Sequence, residues 1–346
     1  MLPYVPFHNR RAVRIENEMV RVSLTEEGGH IAEFFHKRAQ VSPLWIPPWP
    51  SIEPSTYKRE QHPEYGSDAE SKLLAGIMGH NLCLDLFGPP SAEEAAAGLT
   101  VHGEASVERY EFSSIPDGCI ARCRLPAAQL HLERELRLLS NKMEIRETVE
   151  NLAAHDRPVA WQEHVTLGPP FLECGKTQFR APATKCATLA GRTEFEWPWL
   201  PQPDGSRRDL RIYTDAKSSS GFTTQLLDCT RSRSYALAFS PSHRLLLGYV
   251  WNTADFPWLG MWEENRQRET PPWSGRTQTL GLEFGTSPFP ETRRSMISRN
   301  SLFDTPTYRW IPARTHVSVT YYAGLAMADR IPESIAEFES LLSQSN

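Results

Sequence analysis

Apolar and polar residues alternate one for one in run after run of this chain, and that period of two limits its fold more than any other feature. "AVRIENEMVRVSL" (Ala12 to Leu24) alternates on both sides of Glu16-Asn17-Glu18 and reads as a hairpin, with "EEGG" as the next turn. The same pattern recurs in "ASVERYEF", "CIARCRL", "LHLERELRLL", "MEIRETVEN", "SYALAFS", "RLLLGYVW", "TQTLGLEFG" and "HVSVTYYAGLA". Clusters of Pro, Gly, Asn, Asp and Ser separate the runs. Many short strands at roughly ten-residue spacing predict an all-β fold, a large sandwich or barrel of antiparallel sheets.

Helices are few by the same reading. Ser91 followed by Glu94 forms a capping-box pattern before a short alanine run that Gly98 stops. A second helix is expected at about 332–343, with Pro332 in its first turn and Ile335, Phe338, Leu341 and Leu342 on the face that docks outside a sheet. The Pro- and Trp-rich stretches 43–66, 195–209 and 252–276 are expected to be binding loops. No linker interrupts the pattern, so the 346 residues are expected to form a single domain over 1–346.

Composition narrows the partners. A net charge of −5 with no run of basic residues longer than a pair offers no footprint for a polyanion, so nucleic acid is not expected to bind. No apolar run is long enough to span a membrane and the N-terminus lacks a signal-peptide pattern, so the expected compartment is the cytoplasm. The six cysteines are scattered and none forms a CxxC pair, which predicts reduced thiols, with no disulfide scaffold and no zinc site.

A few titrating residues stand in places where a strand prefers Val or Leu. In "WQEHVTLGPPF", Glu163 and His164 are neighbours, so an extended segment points them to opposite faces. In "LGLEFGTSPF", Glu283 shares a face with Gly281 and Gly285, which leaves its carboxylate room. His102 precedes Gly103, a residue suited to close backbone approach. An imidazole and a carboxylate on either side of a ligand form an acid/base pair without a metal. The set His102, His164 and Glu283, with or without Glu163, also has the ligand types of a transition-metal site, and spacing does not separate the two readings. Trp251, Trp258, Trp262 and Trp273, with Trp45, Trp49, Trp197 and Trp199, could stack against sugar rings or plug the ends of the sandwich.

The order of motifs resembles the aldose 1-epimerase (galactose mutarotase-like) family, closest to its hexose-phosphate-epimerase-like branch. The matching landmarks are "CLDLFG" (Cys83 to Gly88), "HG" (His102-Gly103), "ENLAAHDRPVAWQEH" (Glu150 to His164), "YVWNTADFPW", "LGLEFGTSPFP" and the terminal "VSVTYYAGLA". The resemblance implies a galactose mutarotase-like supersandwich whose substrate is a monosaccharide or sugar derivative. It implies that His164 protonates the pyranose ring oxygen while Glu283 takes the proton of the anomeric hydroxyl. Substrate contacts would come from His102, Asn81, Glu163, Asp255, Trp262 and Glu263, with no cofactor and no metal. In "HGEAS", Ser106 stands where the phosphate-handling branch has an arginine, and Glu104 makes the corner acidic, which predicts a neutral substrate. The alternatives are a metal-dependent sugar isomerase or lyase on the same fold, and a carbohydrate-binding protein without catalysis.

Overall fold

The computed structural model describes residues 2–344. Among these, twelve strands form one sheet and eight a second, with antiparallel pairing throughout. The first hairpin is as the alternation predicts: Arg10–Glu16 pairs with Val20–Thr25, which pairs in turn with Ile31–His36.

Five adjacent strands at the centre of the larger sheet carry the residues of interest. In spatial order they are the Asn81 strand (His80–Asp85), the His164 strand (Arg157–Leu167), the Glu283 strand (Gln278–Gly285), the Trp262 strand (Trp258–Asn265) and the Phe222 strand (Gly221–Leu227). Side-chain parity then divides each strand between two faces. Val159, Trp161, Val165, Leu280, Leu282, Phe284, Leu259 and Met261 turn inward to the core shared with the smaller sheet. There they meet Ile145, Val149, Tyr249, Trp251 and Tyr321, and the Trp251 and Phe284 rings stack at 4.1 Å. Each such fully buried large side chain contributes about 2–3 kcal/mol of transfer free energy.

One charged network interrupts this apolar layer. Arg134 donates to Glu147 at 2.6 Å and lies 3.4 Å from Glu163; the Tyr321 hydroxyl reaches both carboxylates; His80 Nε2 is 2.8 Å from Glu163; and the Trp161 indole donates to Glu147. All of these side chains are sealed from water. Desolvation by burial raises both carboxyls, Glu147 to about 7, against the opposing pull of Arg134.

The C-terminal helix spans Ile335–Gln344 and packs Phe338 and Leu342 on the outer face of the smaller sheet. It fits there because Gly248 and Gly324 leave the space its side chains fill. Pro332 lies ahead of the helix rather than in its first turn. The capping box at Ser91 and Glu94 is formed and starts the helix Ala92–Ala96. Two expected loops hold strands instead. Trp258–Asn265 is a central strand, and 195–209 contains the hairpin Trp199–Pro201 with Arg207–Asp209. The stretch 43–66 contains two short 3-10 turns and a single bridge from Leu44 to Leu167, and among the described residues no helix is long and apolar enough to cross a membrane. All six cysteines are unpaired as disulfides.

Candidate functional site

Register places the acid/base candidates side by side on the outward face of the larger sheet. His164 lies opposite Asn81 on one neighbouring strand and opposite Glu283 on the other, and the row continues through Gly260 to Thr224. His164 Nε2 stands 3.0 Å from Glu283 Oε1, with the two side chains only 5 % and 2 % exposed as residues. His164 Nδ1 is 2.9 Å from the Thr166 hydroxyl, which fixes the ring. The approach of Nε2 to Oε1 lies off the line of a hydrogen bond, so Glu283 Oε1 has no donor.

Two glycines give the Glu283 strand its shape, as the flanking pattern predicts. A Cβ at Gly281 would sit 2.6 Å from Glu283 Oε1, because the carboxyl leans over that position. A Cβ at Gly285 would clash with Gln162, whose amide donates to the Glu283 carbonyl at 2.6 Å.

His102 reaches the same cluster from a turn. Its φ is +67°, and the carbonyl accepts from the Leu84 N–H while Gly103, also at positive φ, presses so close to Leu84 that any Cβ would collide with its carbonyl. The His102 and His164 ring centres are 4.9 Å apart, and Trp262 lies 5.9 Å from His164 on the other side. Above them Trp45, Trp49, Tyr65 and Trp273 form an aromatic cap, joined through Trp262, while Phe87 and Phe222 close the opposite wall. Part of the tryptophan set thus roofs this cluster. Trp251 instead belongs to the core between the sheets.

This dry enclosure shifts the titrations in opposite directions. Desolvation lowers His164 to about 4 and raises Glu283 to about 8, and it pushes His102 well down, with His164 adding to the effect. At neutral pH the pair therefore holds one proton, on the carboxyl, with both imidazoles neutral. Four buried polar atoms around the pair lack hydrogen-bond partners: Asn81 Nδ2, His102 Nδ1, Glu283 Oε1 and Thr224 Oγ1. Unmet buried groups are uncommon in folded proteins, and their convergence is what a site awaiting a polar ligand presents.

Not every expected contact residue joins this set. Glu163 points to the opposite face, as its parity with His164 requires, and is spent on the core network with His80, Arg134 and Tyr321. Glu263 also lies on the inward parity of its strand, where it pairs with Arg208 at 2.6 Å. Asp255 pairs with Arg309, on the short strand beside residues 157–159 of the His164 strand. These three lie outside the cluster around His164 and Glu283, while Asn81, His102 and Trp262 lie within it. Glu104 is buried and accepts from the N–H groups of Ala127 and Ala128, and the Ser106 hydroxyl donates to the Gly103 carbonyl. Both side chains at this corner are therefore engaged within the fold. Among the described residues no three His, Cys, Asp or Glu side chains are grouped as metal ligands, and Glu163 is on the wrong face to complete such a set. Gly260, Phe222 and Thr224 were not singled out from the sequence; a glycine inside "WLGMWEEN" was the signal available, since glycine in a strand marks close approach.

No protein-family model and no curated protein matches the chain. Solved structures do. A candidate aldose 1-epimerase from Klebsiella pneumoniae superposes with a TM-score of 0.67 at 15% identity, over 97% of this chain and 83% of its own. A galactose mutarotase related enzyme from Lactobacillus acidophilus gives 0.62 at 11% identity, covering 93% of this chain and 99% of its own. A galactose mutarotase-like protein from Lactobacillus casei gives 0.59 at 12% identity, covering 91% and 99%. At these identities the likeness is one of fold.

Proposed function

We propose that this chain, which has the galactose mutarotase-like fold, is an aldose 1-epimerase-type isomerase that interconverts sugar anomers, with His164 as acid and Glu283 as base. The observation that carries this reading is that Asn81 Nδ2, His102 Nδ1, Thr224 Oγ1 and Glu283 Oε1, all buried and without partners, converge at one imidazole–carboxyl pair. A sugar hydroxyl bound at Glu283 Oε1 supplies the missing hydrogen bond and favours the carboxylate, and the shared proton passes to His164. His164 Nε2–H then protonates the ring oxygen while the carboxylate takes the proton of the anomeric hydroxyl. The bond from C1 to the ring oxygen breaks, the aldehyde forms, and rotation about the C1–C2 bond followed by reclosure with the roles reversed gives the other anomer. The pair again holds one proton, so each turnover restores it. Asn81, His102 and Trp262 are the substrate contacts, and residues 1–346 act as one domain.

The test is exchange NMR of anomeric protons over a panel of neutral and phosphorylated aldoses, from pH 4 to pH 9. The native protein is expected to accelerate exchange, with a bell-shaped profile whose limbs fall near the two values of the coupled pair. His164→Ala and Glu283→Gln are each expected to lose ~10²–10⁴-fold. Folded native protein that accelerates no sugar overturns the reading. Sugar binding that Glu283→Gln leaves unchanged, without turnover, makes the chain a binding protein instead.

A further inference from the structure

Two glycines on adjacent strands allow two side chains to lean past each other beside the candidate base. Glu283 leans over Gly281. On the next strand, Gly260 lies opposite Glu283, and Phe222 leans over it: a Cβ at Gly260 would sit 2.6 Å from Phe222 Cζ and 3.3 Å from Glu283 Cβ. Neither glycine has a positive φ, so the backbone does not require them; the space above them does. The Phe222 ring is 8% exposed and belongs to the apolar group formed with Cys83, Phe87, Ala160, Ala187, Phe289 and Met296. It therefore closes the Gly260 side of Glu283, at the level of its Cβ.

We infer that Phe222, seated over Gly260, is a positioning residue that keeps water from Glu283 and so governs how readily its carboxyl ionises. The inference rests on the acid/base reading above. The groups facing Glu283 leave burial as the control. The His164 strand contributes a neutral imidazole, the Asn81 strand an amide and the Cys83 thiol, whose own titration burial pushes far up, and the turn before Glu104 the neutral His102. On the Trp262 strand Glu264 is engaged by the N–H groups of Gln267 and Arg268. Arg268, over the Trp273 ring, is paired with Glu70. The Phe222 strand presents Phe222, Thr224 and Leu226 on this face, none of them charged. An aromatic ring that closes one flank of a carboxyl side chain favours the protonated form, because the ring cannot solvate the anion.

The experiment is infrared titration of the Glu283 carboxyl without substrate, its band identified by subtraction of Glu283→Gln. Phe222→Ala admits water directly. Gly260→Ala expels the ring while leaving Phe222 in the chain, and Phe222→Leu is a conservative variant for the case where the alanine does not fold. In the folded variants the ratio of ionised to protonated Glu283 at pH 7 is expected to rise ~10-fold, as one pK unit of restored hydration requires. A band that titrates as in the native protein in folded Gly260→Ala and folded Phe222→Leu or Phe222→Ala overturns the inference. The readout involves no turnover, so an epimerase assay that fails on every sugar refutes the proposed function without deciding the role of Phe222.

Discussion

The His164 strand carries two imidazole–carboxyl pairs back to back, one on each face. On the core side His80 meets Glu163 at 2.8 Å, and on the outer side His164 meets Glu283 at 3.0 Å. All four side chains are nearly sealed from water. The core pair is embedded among Arg134, Glu147, Tyr321, Tyr249 and Trp161, with only Glu163 Oε1 left over. The outer pair has Thr166 on the imidazole and nothing on the facing carboxyl oxygen, with two more orphaned groups, Asn81 Nδ2 and His102 Nδ1, close by. Burial alone therefore does not distinguish structure from chemistry here. What distinguishes them is whether the hydrogen-bonding capacity has been used within the fold or left for a ligand.

The contrast predicts opposite responses to removing charge. Arg134→Met leaves Glu147 and Glu163 buried with no cation between them, which is expected to cost ~3–5 kcal/mol of stability. Urea unfolding of the variant measures it, and a loss below ~1 kcal/mol would mean the network is not held by its cation.

Glu283→Gln should do the reverse. The carboxyl is raised to about 8 in the folded chain from an ordinary value of 4.5. Below 4.5 it is protonated in both states and adds no penalty; as pH rises toward 8 the unfolded chain releases its proton first, so the folded state loses stability over that window. Glutamine has no proton to release. The variant is expected to match the native protein near pH 4.5 and exceed it by about 4 kcal/mol at pH 8, read from paired thermal or urea unfolding across pH. Burial raises the Glu163 carboxyl too, but Glu163→Gln also breaks its bonds to Arg134, His80 and Tyr321 and leaves those sealed groups unmatched, so this variant is expected to be less stable than native at pH 8. Equal behaviour of the two glutamine variants would abolish the distinction between the faces.

Much of this was legible in the alternation. Parity alone sent Glu163 and His164 apart, and the glycines either side of Glu283 indicated space for its carboxyl. The Trp262 strand was not legible, because it is buried on both faces: Leu259 and Met261 face the core, Trp262 packs against the outer aromatic cluster and Trp258 lies beside Phe303, and a strand with no wet side has no apolar–polar alternation to read. That omission turned a strand into a loop and let Glu263 be counted with Trp262, although neighbouring residues in a strand point apart. The engagement of Asp255, Glu263 and Glu104 is not legible either, because their partners, Arg309, Arg208 and the main chain at 127–128, lie far along the sequence. Whether a carboxylate is spent or free depends on such distant partners.

Gly281 probes the same contrast with a smaller effect, since it changes space rather than charge. The core network depends on side chains that fill its volume; the outer pair depends on a volume left empty, where an added Cβ would stand 2.6 Å from Glu283 Oε1. The strand is extended at that point, so alanine meets no backbone strain. Gly281→Ala must therefore act by moving the carboxyl, and a shift on the order of 1 Å in a reacting group costs up to ~100-fold in rate. The expected result is a ~10–100-fold fall in kcat with little change in KM and with urea stability within ~1 kcal/mol of native. The split matters because a merely structural glycine would lower stability while sparing the rate of the molecules that remain folded. An unchanged rate would show that the carboxyl reacts from a position other than the one over Gly281, and the acid/base geometry would have to be redrawn around His164 and His102.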